Sequence, residues 1–251
     1  GTLSAPPLDP ALSLSSELAA KIKGRTLDPG AQKAVVDHAK SLLQQLKKEP
    51  GSGREGLAKL ARALAELTDP FLSDPENFLF EGVKAMRSLQ EPTDHSVFAG
   101  SFAATLAAAS GTLDPLWIGN LVVAATFHDI GHSQIPGALL NKKIRTAEEE
   151  KEFRRHVELG VKLLQRSEDP FPEAVVIMVR EHHEKADGTG YPYGLTEARI
   201  HTASKFLILA NEFDNLCETL PIGQAFEKLR EESPAGVTGQ EILEKALREP
   251  L

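Results

Sequence analysis

At 251 residues the chain is long enough for one sizeable core or two small domains. Lys+Arg 28 against Asp+Glu 36 leaves a formal charge of −8, which argues against DNA or RNA as a partner, because such binding relies on Lys and Arg meeting phosphates. A single cysteine, Cys217, excludes an internal disulfide and a cysteine-built zinc site and fits a reducing, cytoplasmic setting. An apolar content of 41% with only 6% aromatic, and almost no strand-type alternation, predicts an all-α fold. The longest apolar runs, 121–127 and 174–179, are too short to span a bilayer, so no membrane segment is expected. The Pro-rich first ten residues are expected to be disordered. Val35, Val36, Ala39, Leu42, Leu43 and Leu46 predict a helix that stops near Pro50. Leu57, Leu60, Leu64 and Leu67 predict a second, and a third spans about 77–89. These helices carry no clustered chemistry. They are read as an N-terminal helical region, residues 1–90, with regulation as its candidate role. A break at Gln90–Pro92 opens a second domain, residues 91–251.

From His95 onward, polar residues enter the apolar stripes. His95 lines up with Phe98, Phe102 and Leu106. Trp117, Leu121, Ala124 and His128 form one row, and Ile118, Val122, Ala125 and Asp129 the next. His156 stands among Phe153, Val157, Gly160 and Leu164, His182 follows Ala174 and Met178, and Asp214 stands among Ala210, Phe213 and Cys217. A helix face that points at a core should be apolar. Burying such groups without partners costs roughly 1–3 kcal/mol each. The simplest common explanation is that they meet one another around metal ions. His38 and His201 are read as ordinary hydrogen-bonded residues.

The inward set is His95, His128, Asp129, His156, His182, His183 and Asp214. Seven such ligands imply at least two ions. Neighbouring residues on a helix point about 100° apart, so His128 and Asp129 both reach one cluster only at its edge, with Asp129 placed to bridge. Because the turn Asp187-Gly188-Thr189-Gly190 follows His182-His183, one of that pair could instead complement a helix C-terminus. Two metals roughly 3.5–4 Å apart can hold a hydroxide and clamp phosphate oxygens, which is hydrolytic phosphoryl chemistry.

His128-Asp129-Ile130-Gly131 resembles the signature of the HD superfamily of metal-dependent phosphohydrolases. The run from His182-His183-Glu184 through Gly188-Thr189-Gly190-Tyr191-Pro192 is similar to the long motif of its HD-GYP subfamily. Between them, Ile135-Pro136, Leu140, Lys142, Thr146, Glu148, Glu149, His156 and Gly160 follow the subfamily's order, and Phe213-Asp214-Asn215-Leu216 falls at its last ligating Asp. The resemblance covers about residues 91–223. It implies an HD-type helical bundle that hydrolyses a cyclic dinucleotide, chiefly cyclic di-GMP, in signal transduction. It also implies two or three divalent ions, with iron or manganese favoured. All seven inward residues carry over as ligands, and Asp129 and Asp214 would also orient the attacking hydroxide. Glu91 stands where some members add a ligand for a third ion, although Pro92 beside it equally marks a helix start. Gly190, Tyr191 and Pro192 would wall the substrate site, with Tyr191 stacking on a base or simply packing.

The departures lie on the substrate side. His132 stands where members usually have a phosphate-binding Lys, and Leu220-Pro221-Ile222-Gly223 replaces a basic Arg-Pro-Tyr-Arg motif. Lys205 keeps the charge of another commonly basic position. A complete metal set with a weakened phosphate grip leaves two alternatives: a hydrolase of another phosphoester, or a catalytically weak signalling module with protein partners or a homodimer.

Overall fold

The computed structural model describes residues 92–110, 115–166 and 171–247. The three helices expected within residues 1–90, and Glu91, lie outside the described residues. The elements are α1 (Pro92–Ala109), α2 (Pro115–Phe127), a 3₁₀ turn (Ile130–Gln134), α3 (Gly137–Leu140), α4 (Ala147–Arg154), α5 (His156–Gln165), α6 (Glu173–Glu181), α7 (Thr202–Cys217), α8 (Ile222–Glu231) and α9 (Gly236–Leu247). Among the described residues there is no strand, only one isolated bridge between Asp187 and Thr196. The expected all-α fold is the one observed.

α1 and α2 both start on a proline, whose fixed φ and missing N–H suit the first helical turn. α1 lies against α2 and α7, α6 packs on α2, and α5 lies between the 3₁₀ turn and α6. Buried alanines, among them Ala99 and Ala103 on α1 and Ala124 and Ala125 on α2, let these helices approach closely. Phe98, Phe102 and Phe213 fill the seam between α1 and α7; the Phe102 and Phe213 rings stack with centroids 4.5 Å apart. Each buried Phe stabilises the fold by about 1.5–3 kcal/mol. This seam also places the chemistry, because His95 is three residues before Phe98 and Asp214 directly follows Phe213.

The connection from the 3₁₀ turn to α5 is set by local bonds. Thr146 and Glu149 form a capping box at the start of α4, and Lys142 donates to the same Glu149 carboxylate at 2.6 Å. His201 caps α7 by accepting from the Ala203 N–H, an ordinary structural role as expected. Among the described residues no helix is long and apolar enough to cross a membrane.

Candidate metal centre

Three of the expected ligands stand where helices stop. α2 ends at Phe127, α4 at Arg154 and α6 at Glu181. Just beyond these ends, His128, His156 and His182 each turn Nδ1 back to the carbonyl three residues earlier. The acceptors are Ala125 at 2.7 Å, Phe153 at 2.9 Å and Val179 at 2.7 Å. A carbonyl oxygen only accepts, so Nδ1 carries the proton and Nε2 keeps a bare lone pair. These carbonyls belong to the last turn, where the helix leaves its acceptors short of N–H donors, although Phe153 also accepts from the Arg155 N–H. Each imidazole therefore satisfies a helix end and is aimed by it. The ends of α2 and α6 also turn their partial negative charge toward the cluster, which favours cations there.

The sequence reading carried α2 through Asp129 and α6 through His182. The structure corrects this: both adjacent pairs lie in turns past the helix ends. Asp129 has φ −99° and ψ 11° and leads into the 3₁₀ turn. That turn is held against α5 at Gly131, where an added Cβ would overlap the His156 carbonyl. The bend lets neighbouring side chains converge.

Asp129 is the centre of the arrangement. Its Oδ1 lies 3.5 Å from His156 Nε2 and 3.6 Å from His182 Nε2. Its Oδ2 lies 3.4 Å from His128 Nε2 and 3.8 Å from His95 Nε2. Two groups of potential ligands result, Asp129 with His156, His182 and His183, and Asp129 with His95 and His128. Asp129 Oδ1, His156 Nε2 and His182 Nε2 are buried with no hydrogen-bond partner among the described residues. A cation held at about 2.0–2.2 Å sets its ligands about 2.8–3.6 Å apart, from octahedral to tetrahedral. The separations around Oδ1 fit that range, so the donor set is compatible with divalent metal.

Asp214 enters differently. Its Oδ2 accepts from His95 Nδ1 at 2.5 Å, so it meets the cluster through His95 and stands in neither ligand group. A carboxylate behind an imidazole fixes the ring's tautomer and raises its basicity. The remaining His95 nitrogen lies 2.9 Å from His128 Nε2. His128 offers only a lone pair there, so the contact needs a proton or a cation between the rings.

Electrostatics follow from burial. Burial pushes His128 down to about 3 and His156 to about 4, and holds His183 well below its ordinary value. For Asp129, burial acts upward, but the surrounding imidazoles, His128 first, outweigh it and hold the carboxyl well below the usual range. For His95, burial acts downward, but the Asp214 bond and the nearby carboxylates raise it. His128, His156 and His183 thus rest as neutral imidazoles beside an ionised Asp129, the protonation state that metals require.

A pH dependence follows for the metal-free protein. His128 and His156 stay neutral when folded but take protons when unfolded, below about 6.5. The unfolded state then binds more protons, so stability falls as pH drops from about 6.5 toward 4, by about 1.4 kcal/mol per group per pH unit. His95 is raised, so its contribution is already complete below the unfolded value and does not change there. Denaturant titrations with chelator at pH 7 and pH 5 should show the loss; equal stabilities would contradict these environments.

The run after His183 forms a wall. Glu184 is fully buried and accepts from the Tyr193 and Leu195 N–H groups, both at 2.7 Å. Tyr191 N–H donates to the His183 carbonyl, and the Tyr191 ring stacks on His183 with centroids 4.6 Å apart. At Gly190 any Cβ would overlap the Glu184–Lys185 backbone. Pro192 is half-buried beside Tyr191. Sequence reasoning gave Glu184 no role; its only signal was a charged residue inside a glycine-rich turn motif. His132 lies beside the cluster, Nδ1 3.6 Å from Asp129 Oδ2 and its ring 4.2 Å from that of His156. Lys205 does not join this group as a substrate contact. It is buried and gives its ammonium to Thr238 at 3.0 Å and Glu197 at 3.7 Å, tying α7 to the start of α9.

The HD domain family matches residues 59–234. A cyclic di-GMP phosphodiesterase of Thermotoga maritima is 30% identical over 173 residues, 66% of this chain and 47% of the relative. The cyclic di-GMP phosphodiesterase response regulator RpfG of Xanthomonas campestris is 33% identical over 105 residues, 41% of this chain and 28% of the relative. The 3'3'-cGAMP-specific phosphodiesterase 2 of Vibrio cholerae is 35% identical over 94 residues, 37% of this chain and 18% of the relative. The chain spans about half the length of the Thermotoga relative, and less of the other two. Among solved structures, Bd1817, a HDG"Y"P protein from Bdellovibrio bacteriovorus, is similar with a TM-score of 0.73 and 20% identity, over 92% of this chain and 76% of that chain. At that identity the likeness is one of fold. With the His-Asp pair at the centre of the site and most of the chain inside the match, the chain belongs to the HD domain family.

Proposed function

We propose that this chain is a metal-dependent phosphodiesterase that hydrolyses a cyclic dinucleotide, with cyclic di-GMP the first candidate. The observation that carries the reading is Asp129, one carboxylate whose two oxygens face two different pairs of imidazoles. A pair of divalent ions there would supply Lewis acidity and an activated water beside a phosphodiester. Iron or manganese suits such imidazole and carboxylate donors. The chain's own residues do the rest. His128, His156 and His182 are pre-aimed by their helix-end carbonyls, Asp129 stays ionised, and Asp214 orients His95. Gly190, Tyr191 and Pro192 shield one side of the cluster from water. Glu91 is proposed as the ligand of a third ion, residues 91–251 as the catalytic unit, and residues 1–90 as a regulatory region. Cytoplasmic signalling, through protein partners or a homodimer, fits such an activity.

Relatives named for cyclic di-GMP and for 3'3'-cGAMP support the substrate class and leave the base to measurement. One observation favours a different phosphoester: neither His132 nor Gly223 supplies the expected cation. The test is direct. The manganese- or iron-loaded chain should convert cyclic di-GMP to linear dinucleotide or mononucleotide, and chelation should abolish this. A chain that holds two ions yet cleaves no cyclic dinucleotide would overturn the proposal.

A further inference from the structure

We infer, resting on that substrate reading, that Arg154 is the cationic grip for the second phosphate of a cyclic dinucleotide whose scissile phosphate lies at the Asp129 cluster. A cyclic dinucleotide carries two phosphodiesters, and a centre built around one leaves the other charge to be met elsewhere. The positions expected to meet it do not. His132 is packed against His156, and Gly223 has no side chain.

Arg154 is in the right place. Its guanidinium lies over the Tyr191 ring, 4.6 Å from the centroid, and Tyr191 in turn stacks on His183. A guanidinium positioned over an aromatic face keeps its N–H groups available for a phosphate. Arg154 and Lys185 line one cavity of about 150 Å³ together with His183, Tyr191, Asn211 and Glu212. That cavity adjoins the cluster through His183.

Arg154 is also available. Its Nε donates to Glu150 at 2.9 Å, an exposed pair one helical turn apart and therefore weakly held. Among the described residues its terminal nitrogens have no hydrogen-bond partner. The neighbouring Arg145 is committed instead, to the Leu139 and Leu140 carbonyls and to the face of Phe153. Arg155, on the far side of Arg154, is paired with Glu152 and serves as a control.

The test uses the manganese-loaded full chain with Arg154→Gln, Arg154→Lys and Arg155→Gln. Cyclic di-GMP binding is measured by calorimetry, and kcat/KM is compared between cyclic di-GMP and bis(p-nitrophenyl) phosphate, which has a single phosphate. Arg154→Gln should weaken cyclic di-GMP binding about 10- to 100-fold, as expected for one charged hydrogen-bonded contact. The preference for cyclic di-GMP over the aryl diester should fall by a similar factor. Arg154→Lys should keep part of the affinity, Arg155→Gln all of it, and metal content should not change. Unchanged binding in Arg154→Gln would overturn the inference and leave the substrate reading standing. Equal loss on both substrates, or loss of metal, would also overturn it, by showing that Arg154 supports the cluster. A parent chain that cleaves the aryl diester but does not bind cyclic di-GMP would overturn the substrate reading, and the grip with it.

Discussion

Replacing Asp129 by alanine is expected to abolish metal binding in both halves of the cluster and to leave the helical fold standing. Each Asp129 oxygen serves a different ligand group, so one substitution removes a ligand from both. It also removes the carboxylate at the centre of the imidazoles, and two cations close together cannot be held by neutral rings alone. Hydrolysis should fall by at least roughly 10²- to 10³-fold, the scale seen when one preorganised charge-stabilising group is lost. The fold should survive for a reason visible in the pKa directions. His128, His156 and His183 are held neutral by burial, so removing the anion strands no positive charge on them. His95 keeps Asp214 as its partner. The apolar seam of Phe98, Phe102 and Phe213 is untouched. The checks are elemental analysis, circular dichroism and turnover on one preparation. Metal-loaded Asp129→Ala with retained activity would contradict the bridging role, and an unfolded variant would contradict the electrostatic account.

Much of this site was legible because polar residues interrupt apolar stripes. His95 on α1 and Asp214 on α7 lie inside helices, where period-3.6 reasoning holds, and both fall on the core-facing side. The other residues of the cluster follow the same pattern for a reason that is only partly right. His128 and His182 continue the stripes of α2 and α6 by position, but the backbone has already left the helix at both. Periodicity fixes a face; it does not mark where a helix gives way to a turn, because the end here is made by side chain to carbonyl bonds and by packing against α5. Lys205 shows another limit. Its charge suggested phosphate, yet its partners are Thr238 at the start of α9 and Glu197 in the loop before α7, which Thr238 itself bonds, a contact that no local pattern encodes. Arg154 was passed over for the converse reason. On a strongly charged stretch, 148–155, a single Arg looks like solvated surface, and only the return of Tyr191 from a distant loop gives it a site.

Gly131→Ala is expected to cost far more than one methyl group would suggest. Gly131 sits in the 3₁₀ turn directly after the His-Asp pair and is buried against the first turn of α5. An added Cβ there would overlap the His156 carbonyl and lie 2.7 Å from the Gly160 nitrogen. Both obstacles are backbone, so no rotamer change relieves the clash and the turn or α5 must move. Overpacking typically costs about 1–3 kcal/mol, and a backbone clash belongs at the upper end. About 3 kcal/mol corresponds to a fall in Tm of roughly 6–12 °C for a chain of this size. The displacement also acts along the line that matters, because the turn carries Asp129 and α5 begins with His156. Widening their 3.5 Å separation should weaken the ligand group on the Oδ1 side before the His95–His128 group. Metal content should therefore drop toward one ion per chain before the protein unfolds. Gly160→Ala provides the contrast on the opposite side of the contact: its Cβ would meet the Gly131 nitrogen at 3.3 Å and the Ile130 side chain at 3.5 Å, so small shifts suffice. A Gly131→Ala protein that melts with the parent and holds two ions would show that close approach of this turn to α5 does not set the cluster's geometry. Were both alanine variants equally damaged, the tight spot would be the whole crossing of turn and helix, not the glycine of the His-Asp-x-Gly run.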